Sequence, residues 1–342
     1  MLPRSKESRS PVRLAVLILL AAFYCGAGAA QEASGIHAQQ GTAAVQGDNL
    51  SGKPDEGVDG GFVFKAEVQE VTLQATVVDE HRHPITTLER NAFQVFEDGK
   101  PQRIISFRRE DIPVAIGVVI DNSGSMRDKR PSVNSAALNL VRDSNPQDQV
   151  CIVNFNNEYY LDQDFTGNVA LLQDALDRIE SRGGTALYDA LAATSDYLMK
   201  SAKLQKKIIL VVTDGEDTAS HDTLEQAVRA IAVDGGPAVY AIGILGHEKE
   251  KKARRALRIL AEQTGGVAFF PEELSEVAAI SQQIARDIRN QYMIGYKPSM
   301  PKREGGFRQV TVKASAAGYK GLSVRTRSGY YAAPGQTASA LH

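Results

Sequence analysis

Cysteine is scarce in this chain: Cys25 and Cys151 are the two among 342 residues. Cys25 lies within the first thirty residues, a segment that reads as a cleaved leader, so the part after it keeps Cys151 alone and has no internal disulfide. Cys151 sits within Val150-Cys151-Ile152-Val153, the setting of a small buried hydrophobe rather than a reactive thiol. A strong excess of one charge is also missing. The formal net charge is −2, and the first thirty residues carry Arg4, Lys6, Arg9 and Arg13 against Glu7. Without that surplus of three the chain holds roughly −5, which argues against general nucleic-acid binding. No glycine-rich phosphate loop is found, since Gly235-Gly236-Pro237 and Gly265-Gly266 read as helix stops and turns. His81 and His83 share one side of a local strand as a metal pair would, but they sit in a polar turn beside Pro84 and read as a solvated tip.

The rest is ordinary globular composition, 43% hydrophobic and 23% charged, with length enough for two domains. The four bases precede the apolar run Leu14 to Tyr24, and Ala27-Gly28-Ala29 offers a small-residue cleavage pattern, so residues 1–30 read as a secretory signal peptide. Because no charge occurs from Leu14 to Ala30, an uncleaved membrane anchor is the alternative. The bulky Tyr24 argues against a lipoprotein site at Cys25. The expected location is secreted or periplasmic, with membrane attachment only if the segment is retained. Residues 31–61 are rich in Gln, Gly, Ala, Ser and Asp and read as a flexible linker.

The most informative stretch is Val114-Ala115-Ile116-Gly117-Val118-Val119-Ile120-Asp121-Asn122-Ser123-Gly124-Ser125-Met126. Its β-branched run predicts a strand buried on both faces, as in the middle of a parallel sheet. Ligands of open α/β sheets bind outside the carboxyl ends of such strands. There Asp121, Ser123 and Ser125 offer one carboxylate and two hydroxyls, hard oxygen donors suited to a cation such as Mg²⁺. An EF-hand is excluded, because Gly124 is fourth in the loop and its twelfth residue is Ser132. A phosphoaspartyl hydrolase wants a second acid two residues on, where Ser123 stands. Helix capping by the same residues is the plain structural reading of the loop alone.

Two further stretches shift that balance: Gly183-Gly184-Thr185-Ala186-Leu187-Tyr188-Asp189-Ala190-Leu191, and Lys207-Ile208-Ile209-Leu210-Val211-Val212-Thr213-Asp214-Gly215-Glu216-Asp217. Together with the first loop they resemble the von Willebrand factor type A domain and its metal-ion-dependent adhesion site, over roughly Pro113 to Asn290. The resemblance implies a divalent cation, Mg²⁺ with Mn²⁺ or Ca²⁺ as alternatives, held by Asp121, Ser123, Ser125, Thr185 and Asp214. In that family one acid reaches the metal through water, and an Asp or Glu of a partner protein completes the site. Asp189 and Asp217 are candidates to support these ligands or to cap helices.

Strands and helices alternate across residues 113–290, which predicts a doubly wound, mostly parallel α/β sheet with helices on both faces. Strands are expected at 149–155, 159–165 (an antiparallel edge hairpin), 239–244 and 267–270. Helices are expected at 169–179, 187–199, 223–233, 250–263 and 272–290, with a further one around Val133 to Val141. The basic run Lys249 to Arg258 reads as a solvated helix face. Residues 62–111 read as β structure with a hairpin at Glu97-Asp98-Gly99-Lys100. Residues 291–332 do likewise, and the two sets are expected to form the halves of a small β-sandwich into which the α/β domain is inserted. A tail, 333–342, follows. This layout resembles the bacterial VWFA-related domain proteins. The expected function is a non-enzymatic, exported protein-binding module, of adhesion or assembly type. Metal-assisted phosphoester hydrolysis at Asp121 and a purely stabilising metal are the alternatives. No His or Glu is tied to the loops to activate water. The last helix runs without a linker into Gln291, so it is a candidate to pass signals to the β structure.

Overall fold

The computed structural model describes residues 70–109, 111–245 and 251–332. The expected signal segment, linker and tail lie outside these residues, as do Lys249 and Glu250 of the basic run. No helix among the described residues is long and apolar enough to cross a membrane.

The described residues begin with β1 (Val71–Val78), β2 (Phe93–Glu97) and β3 (Lys100–Arg108). Alternate residues of β1, Val71, Leu73, Ala75 and Val77, are buried, as a strand with one apolar face requires. The turn between β2 and β3 places Asp98 and Gly99 at positive φ, 48° and 76°. That is the conformation a two-residue hairpin of this twist demands and the Asp-Gly pair tolerates.

The α/β part follows: β4 (Val114–Asp121), α1 (Arg130–Arg142), β5 (Gln149–Phe155), β6 (Tyr159–Thr166), α2 (Val169–Asp177) and α3 (Leu187–Ser201). It continues with β7 (Lys206–Thr213), α4 (Leu224–Ile231), β8 (Ala238–Gly243), α5 (Lys251–Thr264), β9 (Ala268–Phe269) and α6 (Glu276–Arg289). Its six strands run in the order β6-β5-β4-β7-β8-β9. All neighbours are parallel except the edge strand β6, which pairs antiparallel with β5. All eight residues of β4 are buried. Ile116, Val118 and Ile120 face a core shared with α1, α2 and α6, while Ala115 and Val119 face one shared with α3, α4 and α5. Each fully buried Val, Leu or Ile contributes about 1.5–3 kcal/mol, so helices on both faces hold this sheet. Cys151 is fully buried, and burial pushes its thiol up to about 12. It is inert packing.

After α6 come β10 (Tyr292–Lys297), β11 (Phe307–Ala314), β12 (Ser323–Arg325) and β13 (Gly329–Tyr331). They join the first three strands in a single seven-stranded sheet, β12-β1-β10-β3-β2-β11-β13. The strands before and after the α/β part therefore interleave in one antiparallel sheet, which curls so that β11 comes near β12, rather than facing each other as two layers. Inside the curl, the buried Glu97 carboxylate accepts from Tyr296 Oη at 2.5 Å, Tyr330 Oη at 2.9 Å and Arg308 Nη1 at 3.4 Å. A buried acid is tolerable only when so supplied with donors, and these bonds tie β2 to β10, β11 and β13.

Candidate metal centre

From β4 the chain goes to β5 and β6 on one side and then crosses to β7 on the other. The carboxyl ends of β4 and β7 thus mark the point where the strand order reverses, the usual crevice of such sheets. Asp121 ends β4 there, and Asp214 follows β7 directly.

Four of the five expected donors form a continuous chain of hydrogen bonds. Asp121 Oδ1 accepts from the Ser123 amide at 2.8 Å, the Ser123 and Ser125 hydroxyls lie 3.2 Å apart, and Ser125 Oγ donates to Asp214 Oδ1 at 2.8 Å. Thr185 joins through backbone and neighbourhood. Gly124 N donates to Gly183 O at 3.3 Å, and the Thr185 carbonyl accepts from Thr218 N and Ala219 N at 2.9 and 3.2 Å. A methyl built on Gly215 would stand 4.0 Å from Thr185 Oγ1. That hydroxyl makes no hydrogen bond to any described residue.

Several residues that sequence reasoning missed hold this arrangement. Thr213, fully buried, donates from Oγ1 to Asp121 Oδ2 at 2.6 Å. Strand register explains the contact: Ile120 pairs with Val212 in the parallel ladder, which sets Asp121 beside Thr213. Asn122 braces the second loop, donating from Nδ2 to Glu180 O at 2.7 Å and accepting at Oδ1 from Ser181 Oγ at 3.1 Å. Lys129, at the head of α1, places its ammonium on Asp214 Oδ2.

Asp189 and Asp217 serve the loops and the start of α3. Asp217 Oδ2 accepts from Tyr188 N at 3.0 Å and from Ser220 Oγ at 2.5 Å. The Asp189 carboxylate accepts from the amides of His221 and Asp222, both at 2.9 Å. Neither hydrogen-bonds to the five donors: Asp217 caps the start of α3, and Asp189 holds the loop ahead of α4. His81 and His83 are exposed with rings 6.0 Å apart, and their amides donate to Asp79 Oδ1 at 2.9 and 2.8 Å. They form a solvated turn.

The donor chemistry suits a hard cation. Asp121 and Asp214 are both buried, and burial pushes the Asp121 carboxyl above the usual carboxylate range. The Thr213 and Ser123 donors oppose that shift, while the Asp214 charge adds to it. Asp121 receives only neutral donors, so a positive charge in front of it would relieve both desolvation and repulsion. Among the described residues no group of three or more His, Cys, Asp or Glu side chains is placed to share an ion. Any metal here would lean on hydroxyl oxygens as well as on the two acids.

Comparison with known proteins bears on the same stretch. Residues 116–216 match the family described as von Willebrand factor type A domain. An uncharacterized protein of Synechocystis sp. is 25% identical over 183 residues, covering 52% of this chain and 42% of its own length. One of Mycobacterium tuberculosis is 30% identical over 131 residues, covering 35% of this chain and 21% of its own. This chain thus spans less than half the length of either relative. Among solved structures, von Willebrand factor type A from Catenulispora acidiphila is 14% identical, with a TM-score of 0.45, covering 77% of this chain and 75% of its own. The matched residues run from β4 through its loop to the turn after β7, taking in all five expected metal donors. The α/β part of this chain thus has the fold of a von Willebrand factor type A domain, and its residues 116–216 match that family.

Proposed function

We propose that this chain is an exported, metal-dependent protein-binding module. Asp121, Ser123, Ser125, Thr185 and Asp214 would hold a divalent cation, Mg²⁺ or else Mn²⁺ or Ca²⁺, and an Asp or Glu of a partner protein would complete the site. The observation that carries this reading is the convergence of three loops so that two buried carboxylates stand behind the exposed Ser125. Hydroxyls are neutral, so the two acids balance a divalent ion without excess negative charge. A bound Mg²⁺ keeps exchangeable positions and supplies an electrophilic point that a carboxylate can fill. The chain's own residues orient this point: Thr213 and the Ser123 amide fix Asp121, and Asn122 holds the second loop against the first. The match of residues 116–216 supports the same reading. The Asp121 carboxylate is held by Thr213 Oγ1 and the Ser123 amide rather than left free to attack, which favours binding over hydrolysis. Export rests on the N-terminal sequence pattern.

The test is titration calorimetry of the purified chain with Mg²⁺ and Mn²⁺. It is paired with capture from the native extracellular or periplasmic fraction in Mg²⁺ and release by chelator. Saturable heat in the wild type that vanishes in Ser123→Ala, together with chelator-released protein, is the expected result. Capture that is indifferent to excess EDTA would overturn it.

A further inference from the structure

Lys129 has no part in the reading above, yet its ammonium sits on the acid that the cation would need. The Asp214 side chain is 1% exposed, whereas that of Lys129 is 28% exposed. Asp214 Oδ1 is taken by Ser125 Oγ at 2.8 Å and Oδ2 by Lys129 Nζ, so both oxygens of this carboxylate are engaged within the chain. Ser125 in turn is 3.2 Å from the Ser123 hydroxyl. The ammonium therefore completes a closed cluster at the place where a divalent ion would gather the same oxygens.

We propose, resting on the metal-binding reading, that Lys129 is a tethered counter-ion that competes with the divalent cation for Asp214 and so sets the affinity of the site. Two buried acids repel each other and are poorly solvated, so the metal-free domain needs a positive charge at this point. A lysine suits the task because its ammonium is a compact charge on a flexible four-carbon stem. Lys129 lies four residues after Ser125, at the N-cap of α1, and its partial exposure gives it a route into water without moving the helix. Loading the site exchanges one cation for another. The incoming ion must break the Lys129–Asp214 pair and tolerate the displaced ammonium nearby, and both effects lower affinity. In return the empty site stays folded and its loops stay together.

Mn²⁺ titration by calorimetry, with thermal unfolding in EDTA, tests this on the full chain. Lys129→Met is expected to bind Mn²⁺ on the order of tenfold more tightly than wild type. It should also melt lower in EDTA, with the loss recovered on adding Mn²⁺. Lys129→Gln, which keeps a donor but no charge, should tighten binding in the same direction. Lys129→Met combined with Asp214→Asn should regain metal-free stability, because the acid that Lys129 paired with is gone. Mn²⁺ affinity unchanged or weaker in both lysine variants, beside normal binding by the wild type, overturns the counter-ion role and leaves the site reading standing. Absence of Mn²⁺ binding in wild type and variants alike overturns the site reading and the counter-ion role with it. Were Lys129→Met too unstable to titrate, the glutamine variant decides.

Discussion

Thr213 shows how much a single hydroxyl can carry. It is fully buried, and its Oγ1 satisfies one oxygen of a buried carboxylate while accepting from Gly215 N at 3.3 Å. Thr213→Val should cost about 1–3 kcal/mol in urea unfolding, because Asp121 Oδ2 would lose its donor, and Thr213→Ser should recover most of it. Lys206 is the complementary case, a buried base. Its ammonium donates to the Ile288 carbonyl at the end of α6, and burial lowers its pKa from 10.5 to about 8. Below pH 8 it is protonated in both folded and unfolded chains, and the folded one bears the desolvation. Between about 8 and 10.5 the unfolded chain binds more protons, so this group makes stability rise with pH. Lys206→Met should remove that rise between pH 8 and 9.5 and raise stability at pH 7, by on the order of 1–3 kcal/mol, as read by urea midpoints at each pH. The five candidate donors were legible in the sequence because two of them close apolar runs and the others lie in glycine-marked loops. Thr213 and Lys129 were not, since one acts through cross-strand register and the other through the reach of a long side chain.

Among the elements, α3 and β4 are packed to contact. A methyl added at Gly117 would stand 2.7 Å from Thr194 Cγ2, inside any tolerable approach. Gly117→Ala should therefore push α3 off the sheet at about 1–3 kcal/mol. Thr194→Ser, which deletes the obstructing methyl and keeps the hydroxyl that donates to Ala190 O at 2.7 Å, should restore much of that in the double variant. A double-mutant cycle by chemical denaturation measures the coupling. Helical periodicity located the helices of the α/β part to within a few residues at most ends. The chief departure is α6, which begins at Glu276 because Glu273 spends its carbonyl on a turn to the Glu276 amide. The β structure was harder to place. Within residues 291–332, expected simply as β structure, the last stretch forms two short strands, β12 and β13, parted at Thr326-Arg327-Ser328. Arg327 is drawn away there, donating to Val233 O at 2.8 Å and to Gly236 O. Nothing local encodes that long-range pull, nor the interleaving of early and late strands into one curled sheet.

At the scale of the molecule, the two sheets are fastened where the chain passes from one to the other. Arg289, at the end of α6, donates from Nη1 to Asp111 Oδ1 at 2.9 Å and from Nη2 to Asp148 Oδ2. Asp148, whose side chain is 2% exposed, also accepts from the first amide of β4, Val114 N, at 2.8 Å. One guanidinium thus pins the way into the α/β part to the way out. Arg289→Met should lower stability by about 3 kcal/mol, because it strands a buried carboxylate. Asp148→Asn in the same chain should return part of the loss, with calorimetric melting temperatures as the readout. This clamp sits at the amino end of β4, and the candidate cation loops sit at its carboxyl end. A tug on Ser125 resisted through Arg108 would therefore run lengthwise down β4. The ladders on both flanks, to β5 and β7, would take such a load in shear and all together, rather than peeling apart rung by rung.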